Sequence, residues 1–263
     1  MLRSFVKCAT LVGCTLLSGC VATEKFLSRD TISPINGAPY REEISGVLQL
    51  PKDAAQSVPV VIVLESCGGD TPSLRRWMNK INEWGYAAFL VRSIESRGAK
   101  YCSWKRSFYT TEVASDAYGA VDYLKENTAI DNKKIGLLGF SLGAGAINQV
   151  LMPDPSPANG SLVGVVSFYY QCEREMKGLD SVPMLQITAS RDVRHHPSCF
   201  NYEKTYGSHP NLKVVTYNAY HAFDDTKHMR MSKDVGGNEQ LFDSFARDAS
   251  EIEVKRFFDS VFR

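Results

Sequence analysis

Three residues of this chain have the types and the order that nucleophilic acyl chemistry requires: Ser141, Asp192 and His221. A serine hydroxyl is a weak nucleophile until a general base takes its proton, and a histidine base needs an acid to orient it. Ser141 sits in Gly139-Phe140-Ser141-Leu142-Gly143, between an apolar run (Ile135, Leu137, Leu138) and a stretch of small residues (Ala144, Ala146) suited to a helix. GxSxG alone is a weak signal; a strand before it and a helix after it make it a nucleophile elbow. The sharp turn holds its serine in a strained conformation and leaves neighbouring positions nearly free of side chain, hence the two glycines. It also sets the hydroxyl at a helix N-terminus, where the dipole favours developing negative charge. Asp192 follows the apolar run 184–189, and His221 follows another that ends at Tyr217. Asp224 and Asp225 are alternative acids, but they lie too close to His221 along the chain to orient it easily. His195, His196 and His228 show no metal-ligand spacing, so they read as solvated loop and no metal or other cofactor is expected.

The elements that must carry these groups alternate strand and helix. Apolar runs at 58–64, 86–91, 135–138, 163–168, 184–189 and 213–217 read as buried strands, and 43–50 as an edge strand that stops at Pro51. Helical spacing marks 74–84, closed by Gly85, then 113–124 and 252–261. The alternation predicts an α/β fold with a mostly parallel central sheet flanked by helices, its ligand site at the carboxyl ends of the strands. A length of 263 residues and 44% hydrophobic content fit one such domain, and a net charge of +1 gives no reason to expect a nucleic-acid partner.

The first residues belong to no fold. Arg3 and Lys7 precede a short apolar run from Leu11 to Leu17, and Leu17-Ser18-Gly19-Cys20 has the form of a bacterial lipobox. The expected division is a leader at 1–19, a lipidated Cys20 opening a tether at 20–40, and a catalytic domain at 41–263. The partners expected are then a membrane, through the lipid, and a small-molecule ester. Val21, where an aspartate would favour inner-membrane retention, directs the expectation to the periplasmic face of the outer membrane.

Across roughly residues 43–263 the chain resembles the dienelactone hydrolase family of the α/β-hydrolase superfamily. The resemblance lies in VIVLESCGG, Ser96-Arg97-Gly98, DAYGAVDYL, IGLLGFSLGAG, the Asp192 turn and HAFD at 221–224. It implies a serine hydrolase acting on an ester, lactone or thioester, although the first-described members carry cysteine where this chain has Ser141. It further implies an oxyanion hole from the backbone N–H of Leu142 and that of Ser66 or Cys67, with Glu65 near the nucleophile. Arg97 matches a position that helps hold a substrate carboxylate, so anionic esters are expected to be preferred. Four cysteines (Cys67, Cys102, Cys172, Cys199) would remain in an exported domain, and four allow three pairings. Strand adjacency in the implied fold favours Cys67 with Cys102 and Cys172 with Cys199. The rival expectation is a non-catalytic lipoprotein that uses the same fold as a binding scaffold.

Overall fold

Val58–Leu64 is apolar throughout because both faces of the strand it forms are covered. In the computed structural model Val60, Ile62 and Leu64 pack on one side of the sheet and Val61 and Val63 on the other. The structure describes residues 21–32, 38–52, 54, 56–103, 108–151, 162–172, 177–180, 182–193, 197, 204 and 209–263. The expected leader, Cys20, His195, His196 and Cys199 lie outside them.

Eight strands form the main sheet: β1 (Val21–Leu27), β2 (Glu43–Gln49), β3 (Val58–Leu64), β4 (Ala87–Val91), β5 (Ile130–Phe140), β6 (Leu162–Phe168), β7 (Met184–Ala189) and β8 (Leu212–Tyr217). Their order is β1-β2-β4-β3-β5-β6-β7-β8. β2 runs antiparallel to both its neighbours, and every pair from β4 to β8 is parallel. The chain leaves β3 in one direction to β4 and returns on its other side at β5. A crevice opens at the carboxyl ends where the order reverses, as in other open α/β sheets.

Helices α1 (Pro72–Glu83), α2 (Ser93–Ser96), α3 (Thr110–Lys125), α4 (Leu142–Leu151) and α5 (Ser244–Val261) complete the layers. Helices α3 and α4 cover the face holding Ile62 and Phe89, and α1 and α5 cover the face holding Trp77, Phe140 and Phe258. The boundaries of α1 follow from its sequence. The Thr71 hydroxyl accepts the Leu74 N–H at 3.3 Å, Pro72 occupies the first turn, and Leu74, Trp77, Met78 and Ile81 supply the buried stripe. Gly85 follows the helix with φ of 89°.

The N-terminal part departs from expectation. Residues 21–27, read as tether, form β1, and 43–50 is therefore not the edge but the second strand. β1 pairs with β2 along its whole length, from Val21 opposite Gln49 to Leu27 opposite Glu43. Phe26 is its one buried residue, tilted against Phe89 with ring centroids 5.7 Å apart. An edge strand that buries one side chain leaves almost no periodic signal to read.

Candidate active site

The elbow at the end of β5 is as tight as its glycines imply. Ser141 adopts φ of 50°, a left-handed conformation that costs a non-glycine residue about 1–3 kcal/mol. A Cβ on Gly139 would stand 2.5 Å from the Gly143 carbonyl oxygen, and one on Gly143 would stand 2.5 Å from that of Leu64. Neither position admits a side chain. The Ser141 N–H donates to the Phe168 carbonyl at 3.1 Å, and its carbonyl receives the Gly145 N–H at 2.9 Å as α4 begins. Strands β5 and β6 and helix α4 thus fix the nucleophile between them.

Asp192 and His221 arrive from the next two strand ends. The turn after β7 is pinned to β8 by Ser190 N–H to Tyr217 and Arg191 N–H to Ala219, at 2.8 and 3.0 Å. Asp192 Oδ2 lies 2.6 Å from His221 Nδ1, and His221 Nε2 lies 3.1 Å from Ser141 Oγ. The acid and the imidazole are buried, while the serine is part-exposed to the crevice. Asp192, not Asp224, therefore meets the imidazole. A carboxylate on Nδ1–H leaves Nε2 as acceptor for the serine proton, which is the protonation pattern general-base catalysis needs.

Of the anticipated oxyanion donors, Ser66 and Cys67 line the cavity with Ser141, and Leu142 follows the nucleophile as the first residue of α4. Among the described residues, the N–H groups of Leu142, Ser66 and Cys67 have no hydrogen-bond acceptor. The Gly143 N–H donates to the Glu65 carbonyl at 2.9 Å, tying the segment after β3 to the elbow after β5. Cys67 and Cys102 are joined by a disulfide, and the Cys102 N–H donates to the Cys67 carbonyl at 2.8 Å. A bond of this kind contributes about 2–4 kcal/mol, here restraining the donor loop. Cys172 is also disulfide-bonded.

A cavity of about 360 Å³ opens above Ser141 and His221. Ser66, Gly68, Leu74 and Tyr101 line one side, and a strap running from Lys227 to Gln240 lines the other. Within the strap Ser232 pairs with Gln240 and Lys233 with Glu239 as a short hairpin. That hairpin adjoins the base: the His221 N–H donates to the Glu239 carbonyl at 3.2 Å, and His221 bridges to Gln240. His228 turns its Nδ1 to Ser232 Oγ at 2.8 Å.

Sequence reasoning missed the support behind the imidazole. Tyr169 lies with its ring centroid 4.8 Å from that of His221, and its hydroxyl donates to Asp224 Oδ1 at 2.8 Å. Asp224 Oδ2 also receives Trp77 Nε1–H at 2.8 Å and the Ser73 hydroxyl at 3.2 Å. Burial raises the Asp224 carboxyl above its ordinary value, against the opposing effect of the Trp77 and Tyr169 donors. Ser141, Tyr169 and Ala222 have φ of 50°, 41° and 52° and are the described non-glycine residues with positive φ; all three line the cavity. An aspartate three residues past His221 and a tyrosine just past β6 were the available signals.

Arg97 does not reach the cavity. Its guanidinium is buried against Asp116 (Nη1 to Oδ2, 2.7 Å; Nη2 to Oδ1, 3.0 Å) and Glu42 (Nε to Oε2, 2.6 Å). A fully buried Asp116 needs such a partner, and the bidentate fork supplies it. The expectation that Arg97 holds a substrate carboxylate is thereby corrected: it joins α2 and α3 to the start of β2. Glu65 is likewise buried, not in the cavity lining, with Oε2 accepting the Ile94 N–H at 3.0 Å.

Burial pushes the Glu65 carboxyl up to about 8; the Ile94 N–H acts in the opposite direction and Asp70 adds to the rise. A carboxyl raised in the folded state is an acid the fold prefers protonated. Its contribution is intact below the unfolded value of 4.5 and is lost as pH climbs to about 8, at about 1.4 kcal/mol per unit. Glu65→Gln removes this titration, so its melting temperature should rise relative to wild type between pH 5 and pH 8.5. A gap that stays constant across that range would show Glu65 to be ionised throughout.

The model of the family described as "Dienelactone hydrolase family" matches residues 44–259. A dienelactone hydrolase from Anabaena variabilis superposes with TM-score 0.56 at 17% identity, covering 92% of this chain and 99% of its own. A dienelactone hydrolase-like promiscuous phosphotriesterase from metagenomic libraries gives TM-score 0.64 at 15% identity, over 93% and 100%. A thermostable esterase from Pseudomonas putida gives 0.65 at 15% identity, over 96% and 86%. At such identities the likeness is one of fold. No curated protein sequence matches this chain.

Proposed function

We propose that this chain, which belongs to the dienelactone hydrolase family of ester-bond hydrolases, cleaves a small carboxylic ester, lactone or thioester through a serine acyl-enzyme. The observation that carries the reading is the continuous relay from Asp192 through His221 to Ser141, at 2.6 and 3.1 Å. Ser141 Oγ attacks the acyl carbonyl carbon while His221 Nε2 takes its proton, and Asp192 stabilises the imidazolium. The tetrahedral oxyanion forms between the Leu142 N–H and that of Ser66 or Cys67, a pair of donors that need not reorganise as charge develops. Collapse expels the alcohol or thiol, protonated by His221. Water activated by the same imidazole then releases the acid. Tyr169 and Asp224 back the ring throughout.

An activated serine is what a fluorophosphonate probe reports. Wild-type protein is expected to label stoichiometrically and to turn over a panel of short-chain esters. Absence of both would leave the fold without this chemistry.

We further propose that Cys20 is lipidated and holds the enzyme in the bacterial cell envelope, at the periplasmic face of the outer membrane. The lipobox at 17–20 supports this, and no helix among the described residues is long and apolar enough to cross a membrane. The mature protein is expected to fractionate with membranes, and Cys20→Ser to abolish its processing. A Cys20→Ser protein found in membranes in the same mature form would remove the lipid from the account.

A further inference from the structure

The replacement of a tether by β1 fixes more than the outline of the sheet. β1 starts at Val21, the residue immediately after Cys20, so a lipid on that cysteine is joined to the folded domain without slack. A flexible tether of about twenty residues would let the domain sample every orientation over tens of ångströms. A strand hydrogen-bonded along its full length does not.

The register states which end of the molecule is held. Val21 is level with Gln49, Gln49 with Ala88, Ala88 with Val61, and Val61 with Gly136. This row crosses β4 at its second residue and β3 at its fourth, on the amino side of the strand ends that carry the site, since β1 and β4 run the same way on either side of antiparallel β2. Ser141 lies five residues beyond Gly136. At about 3.3 Å per residue it stands about 17 Å further along the strand direction, at the opposite edge.

We propose that the amino edge of the sheet is a lipid-facing surface and that the active-site mouth opens away from the bilayer. The proposal rests on the lipidation of Cys20. A second observation, independent of the cysteine, points to the same surface. Lys52 follows β2, Lys125 ends α3, and Lys133 and Lys134 lie on the first part of β5, all at this edge. None of these four ammonium groups makes an ion pair with a described residue. Of the acids at this edge, Glu83 pairs with Lys80 at 2.7 Å, while Asp131 accepts the backbone N–H of Lys133 at 3.1 Å and Glu126 stands next to Lys125. Unpaired lysines beside a lipid anchor complement anionic headgroups. Val21, 62% exposed, adds an apolar contact next to the lipid.

The orientation narrows the substrate class. The ester bonds of the supporting bilayer are on the far side of the domain from Ser141, so the substrate is an ester that reaches the enzyme through water.

The test uses full-length protein matured with its own leader and reconstituted in vesicles of phosphatidylethanolamine and phosphatidylglycerol. Flotation first reports whether the protein is lipid-anchored; failure to float overturns the anchor and the orientation built on it. Lys133→Cys and Val235→Cys, labelled with a thiol-reactive fluorophore under non-reducing conditions, then report the two edges. Brominated lipids are expected to quench the label at 133 at least threefold more than the label at 235. Equal quenching, or stronger quenching at 235, in protein that floats would overturn the orientation while leaving the anchor standing. Turnover of a bilayer-embedded long-chain ester is expected to be no faster for anchored protein than for a soluble form produced without the leader and beginning at Val21. A tenfold advantage for the anchored form would place the mouth on the membrane instead.

Discussion

Ser141→Ala leaves the domain folded and lowers ester turnover by about four to six orders of magnitude. The expectation of intact folding comes from the elbow itself. Alanine at φ of 50° is as strained as serine, and the bonds that hold the turn are backbone ones to Phe168 and Gly145. What disappears is the oxygen 3.1 Å from His221 Nε2. The donors at Leu142 and the β3 loop remain, which is why a residual rate above that of water is expected. Labelling by a fluorophosphonate should vanish together with turnover. Activity within a few-fold of wild type, in protein with an unchanged melting temperature, would assign the nucleophile elsewhere.

Asp192→Asn should lower kcat by about 10⁴-fold with little change in KM. The side chain keeps its shape, but an amide can present an N–H to the imidazole nitrogen where the carboxylate only accepted. His221 then takes the other tautomer, with its proton on Nε2 and no lone pair to receive the proton of Ser141. The same change leaves the imidazolium without its buried counter-charge. Because the acid is buried and bonded at 2.6 Å, a stability loss of about 1–3 kcal/mol should accompany the kinetic effect. Steady-state kinetics beside a melting curve separates the two. A fall of tenfold or less would make Asp192 dispensable as orienting acid.

How much of this was legible in the sequence depended on how each feature announces itself. Buried parallel strands did so by continuous apolar runs, and 58–64 and 184–189 match β3 and β7 residue for residue. The relay was legible because its members are chemically rare and stand at strand ends in a fixed order. β1 was not, since a strand on the rim of a sheet that buries Phe26 alone looks like loop. Arg97 was misread for a different reason. A guanidinium in a loop after a strand could face the cavity or the core, and the decision lay with Asp116 on α3, whose pairing with Arg97 is a tertiary contact that neither segment shows by itself. The backing of His221 by Tyr169 and Asp224 depends on three segments meeting, and no local pattern encodes that meeting.

The strap from Lys227 to Gln240 is both a wall for the substrate and a backbone partner of the base. Selectivity and rate are therefore mechanically joined in this enzyme. Redesigning the wall at Lys233 or Val235 moves the hairpin that receives the His221 N–H, so altered preference there arrives with altered kcat. Leu74 faces the same cavity from α1, a helix that carries no member of the relay. Because Ser73 and Trp77 on that helix hold Asp224 behind the ring, a change at Leu74 reaches the base only through its support, a longer route than the hairpin's direct bond to His221.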